Sequence, residues 1–389
     1  MIPMNTAVKS IESKFSDFAR TQILTFPDLG NLCLFPEALW KKMGAADLLN
    51  PALFNGQNVE SSSCLAITRA GRALVYEGGN LGMALSWMIH HLVARYLLFP
   101  LGPDNKNRAG DEKEFLGPLF KAMASGAATV CFAVSEPKGG AHPKYLAARA
   151  AKTTTGIILN ARKTYLTNGP IAHSFIVIAV TKVDKEKKQF SAFFVPKETP
   201  GLTLLPPLEI PFFNPSPHNG IDLKDCRVPD NALLGREGFA YGDMVLAFRR
   251  CEDAAMTGPV TGAMAFVLDA LAQSMGHKEI PGGQIKQLGG LVALLETADF
   301  LSWNIAMAVD NPRLYSNFAN FGAILLQFKA LVSVYVAQVE SLVEEMNLIL
   351  PDPFGILIRD LKSSARIGEH ISGIQQGKLG LALLEKNKK

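Results

Sequence analysis

The chain has 389 residues, 48% hydrophobic and 19% charged, and 39 Lys and Arg against 35 Asp and Glu leave a formal charge of +4. This composition excludes a disordered chain and predicts two or three packed domains. No basic run interleaved with aromatic residues marks a nucleic-acid groove.

Cys33, Cys64, Cys131, Cys226 and Cys251 lie far apart, with no Cys-x-x-Cys and no His at metal spacing. The expectation is no metal and a reducing, cytoplasmic setting. The first residues lack the apolar core of a signal peptide. The longest uncharged runs, 78–94 and 314–328, fall short of the roughly 20 apolar residues of a membrane span, so none is expected.

Residues 1–125 read as a helical domain, with apolar residues at mixed three and four spacing, as in Leu81 to Ile89. His90 and His91 continue that segment; a paired His suggests a ligand or a base, and the simpler reading is polar residues at the edge of a packed helix. A loop is expected over 99–108, and a helix over Glu114 to Phe120. In residues 126–235 the period shortens to that of strands. Phe175 to Val180 is an apolar strand, Asp184 to Lys188 a charged hairpin tip, and Ser191 to Val195 the return strand. A small antiparallel barrel or sandwich follows. Residues 236–389 return to long helices. Ala323 to Met346 is apolar on most of its circumference, which predicts burial on several sides within a bundle or at a subunit interface.

The most informative stretch is Cys131 to Gly169, a strand, a tight Pro/Gly loop and a hairpin. Ser135 and Thr167 are small hydroxyl residues at strand ends, beside the turn signals Glu136-Pro137 and Asn168-Gly169. Hydroxyls placed there can donate to a flat heteroaromatic ligand lying across the strand ends.

Ser135-Glu136-Pro137, the Gly-rich turn, Leu159-Asn160-x-x-Lys163 and Leu166-Thr167-Asn168-Gly169 follow one another in an order and spacing that resemble the β-domain of the acyl-CoA dehydrogenase family. Pro200-Gly201-Leu202 and Val228-Pro229 through Leu233-Leu234-Gly235 extend the likeness. The family's Gly-Ser-Asp is Gly140-Ala141-His142 here, and its Trp is Tyr165.

The resemblance implies a helical domain, a central antiparallel β-barrel and a C-terminal four-helix bundle, assembled as a homodimer or homotetramer. It also implies FAD, an acyl-CoA or acyl-carrier thioester substrate, electron-transfer flavoprotein as an acceptor, and a place in fatty acid metabolism. Phe132, Val134, Ser135, Gly140, Tyr165 and Thr167 stand where the family contacts the flavin, and Gln284, in Gln284-Ile285-Lys286-Gln287, where it holds the cofactor tail.

Glu369, between Arg359-Asp360 and Ile374-Gln375, matches the family's catalytic base, with His370-Ile371 in place of Gly-Thr. Glu252 matches the alternative base on the first C-terminal helix. The Arg expected before Gln284 and the Gly-Gly loop expected near Glu344 to Leu350 are missing. Two further readings follow, a non-catalytic subunit of a hetero-oligomer with little hold on FAD, and a flavin monooxygenase or oxidase on the same fold.

Overall fold

A computed structural model describes residues 6–54, 63–101, 115–276, 279–311, 321–350, 352–367 and 369–386. Most of the loop expected over 99–108, Glu114 of the helix expected after it, and the start of the run 314–328 lie outside the described residues. In chain order the helices are α1 (Thr6–Phe18), α2 (Glu37–Ala45), α3 (Ser63–Gly78), α4 (Leu81–Leu92) and α5 (Leu116–Ala124). The strands follow as β1 (Val130–Ala133), β2 (Arg149–Thr153), β3 (Gly156–Thr167), β4 (Ser174–Asp184), β5 (Lys187–Pro196), β6 (Leu202–Leu204), β7 (His218–Val228) and β8 (Leu233–Leu234). Then come α6 (Ala247–Ala255), α7 (Thr257–Met275), α8 (Gly282–Asp310), α9 (Phe321–Glu345), α10 (Phe354–Arg366) and α11 (Glu369–Lys386).

The chain folds into two compact units. One comprises Met1–Gly30, Gly56–Ala84 and Asp253–Lys389. Within it α7 packs on α8, α8 on α9, α9 on α10 and α10 back on α7, a four-helix bundle that α3 joins against α7 and α8. Close approach of α3 to α7 depends on two glycines one turn apart. A Cβ at Gly258 would lie 1.9 Å from the Thr68 carbonyl oxygen, and one at Gly262 2.4 Å from that of Arg72. Charge reinforces the packing, because Asp299 of α8 pairs with Arg72 at 2.8 Å and Arg69 at 3.5 Å, both on α3. Asp310 caps α3 by accepting from the Cys64 and Leu65 amides, each at 2.9 Å.

Within the single chain, helix α9 is buried along one side. Phe328, Leu331, Val332, Tyr335, Val336, Val339 and Leu342 form one buried stripe at three and four spacing. Ile324 and Val334 are exposed, as are Ile285, Val292 and Phe300 of α8. The expectation of no membrane-length segment is corrected. Among the described residues Tyr241–Met275, Gly282–Asp310 and Phe321–Glu345 are helices long and apolar enough to cross a membrane by length and composition alone. The uncharged runs in the sequence missed them because isolated charges interrupt each helix.

The second unit comprises Asn31–Asn55 and Leu85–Glu252. Its sheet has eight strands in the order β6-β7-β3-β2-β4-β5-β8, with β1 beside β4. The antiparallel barrel is therefore corrected to a mixed, open sheet. β1 runs parallel to β4, from Val130 opposite Ser174 to Ala133 opposite Val177, and β2 touches β4 in parallel at Arg149 and Val180. The reason lies in connectivity: the β2–β3 hairpin intervenes between β1 and β4, and that length of chain permits a parallel return. The hairpin of β4 and β5 forms as expected, turning at Lys185 and Glu186, both with positive φ. Phe175, Val177, Phe193, Val195, Leu159 and Leu223 belong to its core.

His90 and His91 correct another expectation. They are not at a helix edge but buried, at 0% and 1% exposure. Each Nε2 donates to a backbone carbonyl at 2.9 Å, His90 to Leu49 and His91 to Leu48. Trp40 lies edge-on to His90, and Phe54 to His91. Burial pushes both imidazoles below their ordinary pKa, that of His90 to about 4.

Candidate functional site

The stretch 131–135 runs beside 163–167 in the opposite direction. The Cys131 thiol reaches the Thr167 carbonyl at 3.4 Å, and the Thr164 amide donates to the Ser135 carbonyl at 2.9 Å. Phe132, Val134, Ser135, Tyr165 and Thr167 thus lie on two neighbouring antiparallel stretches.

A buried ion pair joins the two stretches. The Lys163 ammonium, at 0% exposure, donates to Glu136 Oε1 at 2.8 Å and to the Val134 carbonyl at 3.0 Å. Glu136 also accepts from the Ala147 and Ala148 amides at 2.7 and 3.0 Å. Burial lowers the Lys163 pKa and the adjoining carboxylate opposes that shift. Ser135 sits between Val134 and Glu136, so two residues bound to one ammonium fix its backbone. Its half-buried hydroxyl has no hydrogen-bond partner among the described residues.

Gly140 closes the turn that follows. Glu136 and Gly140 exchange both backbone hydrogen bonds at 3.0 Å, and Gly140 takes φ 55°, a conformation that favours glycine. Tyr165 is 65% exposed and also has φ 55°. It lies where the β3–β7 register slips between Lys163 and Leu166, a bulge that turns its ring outward.

Thr167 ends β3 opposite His218, the first residue of β7, and its hydroxyl lies 3.0 Å from His218 Nε2. Next to it, Asn168 is left-handed at φ 62°, donating its side-chain amide to the Ser86 carbonyl and its backbone N–H to that of Pro217, both at 2.9 Å.

The ring of Phe132 meets that of Phe248 on α6 edge-on at 5.0 Å. Glu252 stands four residues beyond Phe248 and therefore on the same helix face. It is the candidate base that the sheet unit itself carries.

The other expected site residues belong to the helical unit. Glu369 is the first residue of α11, and its side chain lies outside the described residues. Gln284 is in the first turn of α8, where its amide donates to Glu345 at 3.0 Å, and Gln287 donates to both oxygens of the same carboxylate at 3.1 Å. A hydrogen bond from Ser341, with those from Gln287 and Gln284, holds the Glu345 pKa below the usual carboxylate range. The donors expected to meet a cofactor tail already meet an anion of the chain itself. A diphosphate held by Gln284 would compete with Glu345 for its amide.

Sequence reading missed two participants. Lys163 left a signal, since it follows Leu159 and Ala161 at period two and so points a charge inward. His218 left none, because only the β3–β7 register brings it to Thr167.

The sheet unit joins a mixed, open sheet to a strand that ends in the Thr167 hydroxyl. The acyl-CoA dehydrogenase middle-domain pattern matches residues 131–226. The 2-methylacyl-CoA dehydrogenase of Solanum tuberosum is 26% identical over 369 residues, covering 91% of this chain and 85% of that protein. Among solved structures, butyryl-CoA dehydrogenase from Megasphaera elsdenii superposes with a TM-score of 0.80 at 17% identity, over 99% of this chain and 100% of its own. A glutaryl-CoA dehydrogenase from Mycobacterium smegmatis in complex with FADH2 gives 0.80 at 18% identity, over 98% of this chain and 95% of its own. The middle-domain match and these relatives support an acyl-CoA dehydrogenase family member, at modest identity.

Proposed function

We propose that the protein is an FAD-dependent acyl-CoA dehydrogenase that removes hydrogen across the α and β carbons of an acyl-CoA or acyl-carrier thioester. The observation that carries this reading is the unpartnered Ser135 hydroxyl, held by Lys163 and Glu136 on a stretch that runs antiparallel to the one ending in Thr167. Bound FAD supplies the hydride acceptor that no side chain of the chain provides. Ser135 and Thr167 orient the ring through its polar rim, and Phe132 keeps water from its apolar side.

Glu369 is the base for the α proton, with Glu252 the alternative. That proton becomes accessible only as charge on the thioester oxygen meets hydrogen-bond donors. Electron-transfer flavoprotein is the proposed acceptor of the electrons. The exposed apolar residues of α8 and α9 support assembly as a homodimer or homotetramer.

Glu369→Gln should abolish dehydrogenation while leaving FAD bound, read by absorbance of the flavin and by its bleaching with acyl-CoA. Activity retained in that variant and lost in Glu252→Gln would transfer the role to Glu252. The Glu345 carboxylate favours a second reading, a family member with a weak grip on FAD that serves as one subunit of a hetero-oligomer. A purified protein that takes up no FAD in excess cofactor would establish it.

A further inference from the structure

The Thr167 hydroxyl is not free to point where a ligand wants it. His218 Nδ1 lies 3.0 Å from the carbonyl oxygen of Ser216, which only accepts, so Nδ1 carries the proton. In the neutral ring Nε2 is then a lone pair, and it lies 3.0 Å from the Thr167 hydroxyl. Thr167 must therefore donate to His218. Its remaining lone pairs are what it offers outward.

We propose that His218 is a positioning residue that locks the Thr167 hydroxyl inward, so that Thr167 presents an acceptor to the ring bound at this strand end. The inference rests on the proposed FAD site and reverses the donor role expected of Thr167 from its sequence. An acceptor is complementary to a ring N–H. Reduced isoalloxazine carries such a donor where the oxidised ring carries an acceptor, so the lock favours the reduced cofactor. Burial lowers the His218 pKa and keeps the ring in the neutral form that the lock requires.

The lock is tested first without cofactor. Long-range 1H–15N correlation spectra of the 15N-histidine-labelled full chain at neutral pH, with His218 assigned by its absence in His218→Gln, should show a protonated Nδ1 and an unprotonated Nε2. A protonated Nε2 overturns the proposal whether or not FAD binds. The second measurement is the affinity for reduced relative to oxidised FAD in His218→Ala, Thr167→Val and the double variant. His218→Ala should lower that ratio about fivefold, the effect of one hydrogen bond. It should have no further effect once Thr167 is Val. Equal effects of His218→Ala in both backgrounds would reduce His218 to a structural residue and overturn the proposal. Failure of the wild-type chain to bind FAD would instead overturn the proposed function, leaving the tautomer to decide the lock.

Discussion

Glu136→Ala tests how the candidate site is held. The substitution leaves the Lys163 ammonium at 0% exposure with the Val134 carbonyl as its one remaining acceptor among the described residues. Removing one partner of a buried pair costs about 3–5 kcal/mol. The buried Ala148 amide also loses its acceptor, which adds about 1–3 kcal/mol. The exposed Ala147 amide turns to water, so the expected loss is about 4 kcal/mol or more. Urea unfolding followed by tryptophan fluorescence in a Trp303→Phe background measures it. Of the three tryptophans this leaves Trp40 and Trp87, both buried in the unit that holds the pair. Adding Lys163→Met should restore part of the loss, because the charge that needed a partner is gone. A loss under about 1 kcal/mol, or a double variant no more stable than Glu136→Ala, would refute the claim that Lys163 is held there as a paired cation.

Three further outcomes are expected. The pKa values of His90 and His91 in the fold lie below the ordinary 6.5, so the unfolded chain binds more protons as pH falls from 6.5 toward about 4. Their contribution is complete above 6.5 and lost through that window at about 1.4 kcal/mol per pH unit for each neutral ring, a slope that His90→Gln with His91→Gln should flatten in pH-dependent melts. Gly262→Ala places a methyl 2.4 Å from the Arg72 carbonyl and should cost about 1–3 kcal/mol in thermal unfolding, whereas Ala at the open helical Gly289, the control, should stabilise by about 0.5–1 kcal/mol. Glu345→Ala should tighten FAD binding about threefold to tenfold in a fluorescence titration by releasing Gln284 and Gln287, and an unchanged affinity would remove Gln284 from the cofactor site.

What was legible in the sequence was local. Ser135 and Thr167 stand beside turn signals a few residues away, and the β4–β5 hairpin is marked by an apolar run and a charged tip. What depends on strand register was not. The parallel pairing of β1 with β4 and the meeting of Thr167 with His218 join positions tens of residues apart, and no local pattern encodes either. His90 and His91 were misread because an imidazole looks polar in a sequence, yet two backbone carbonyls satisfy one nitrogen of each ring inside the core. Gln284 was legible as a donor, but the Glu345 side chain that accepts its hydrogen bond comes from another helix.

The interleaving of the two units has a temporal consequence. One unit is assembled from the first, a middle and the last portion of the chain, and Gly258 and Gly262 of α7 meet carbonyls of Thr68 and Arg72 laid down roughly 190 residues earlier. On a ribosome adding about 5–20 residues per second, α3 therefore waits on the order of ten seconds or more for the helix that covers it. During that delay its buried face, rich in Leu, Ile, Val and Ala, is open to other chains. The sheet unit draws on no residue beyond 252, so all of its chain is laid down while the bundle is still being made.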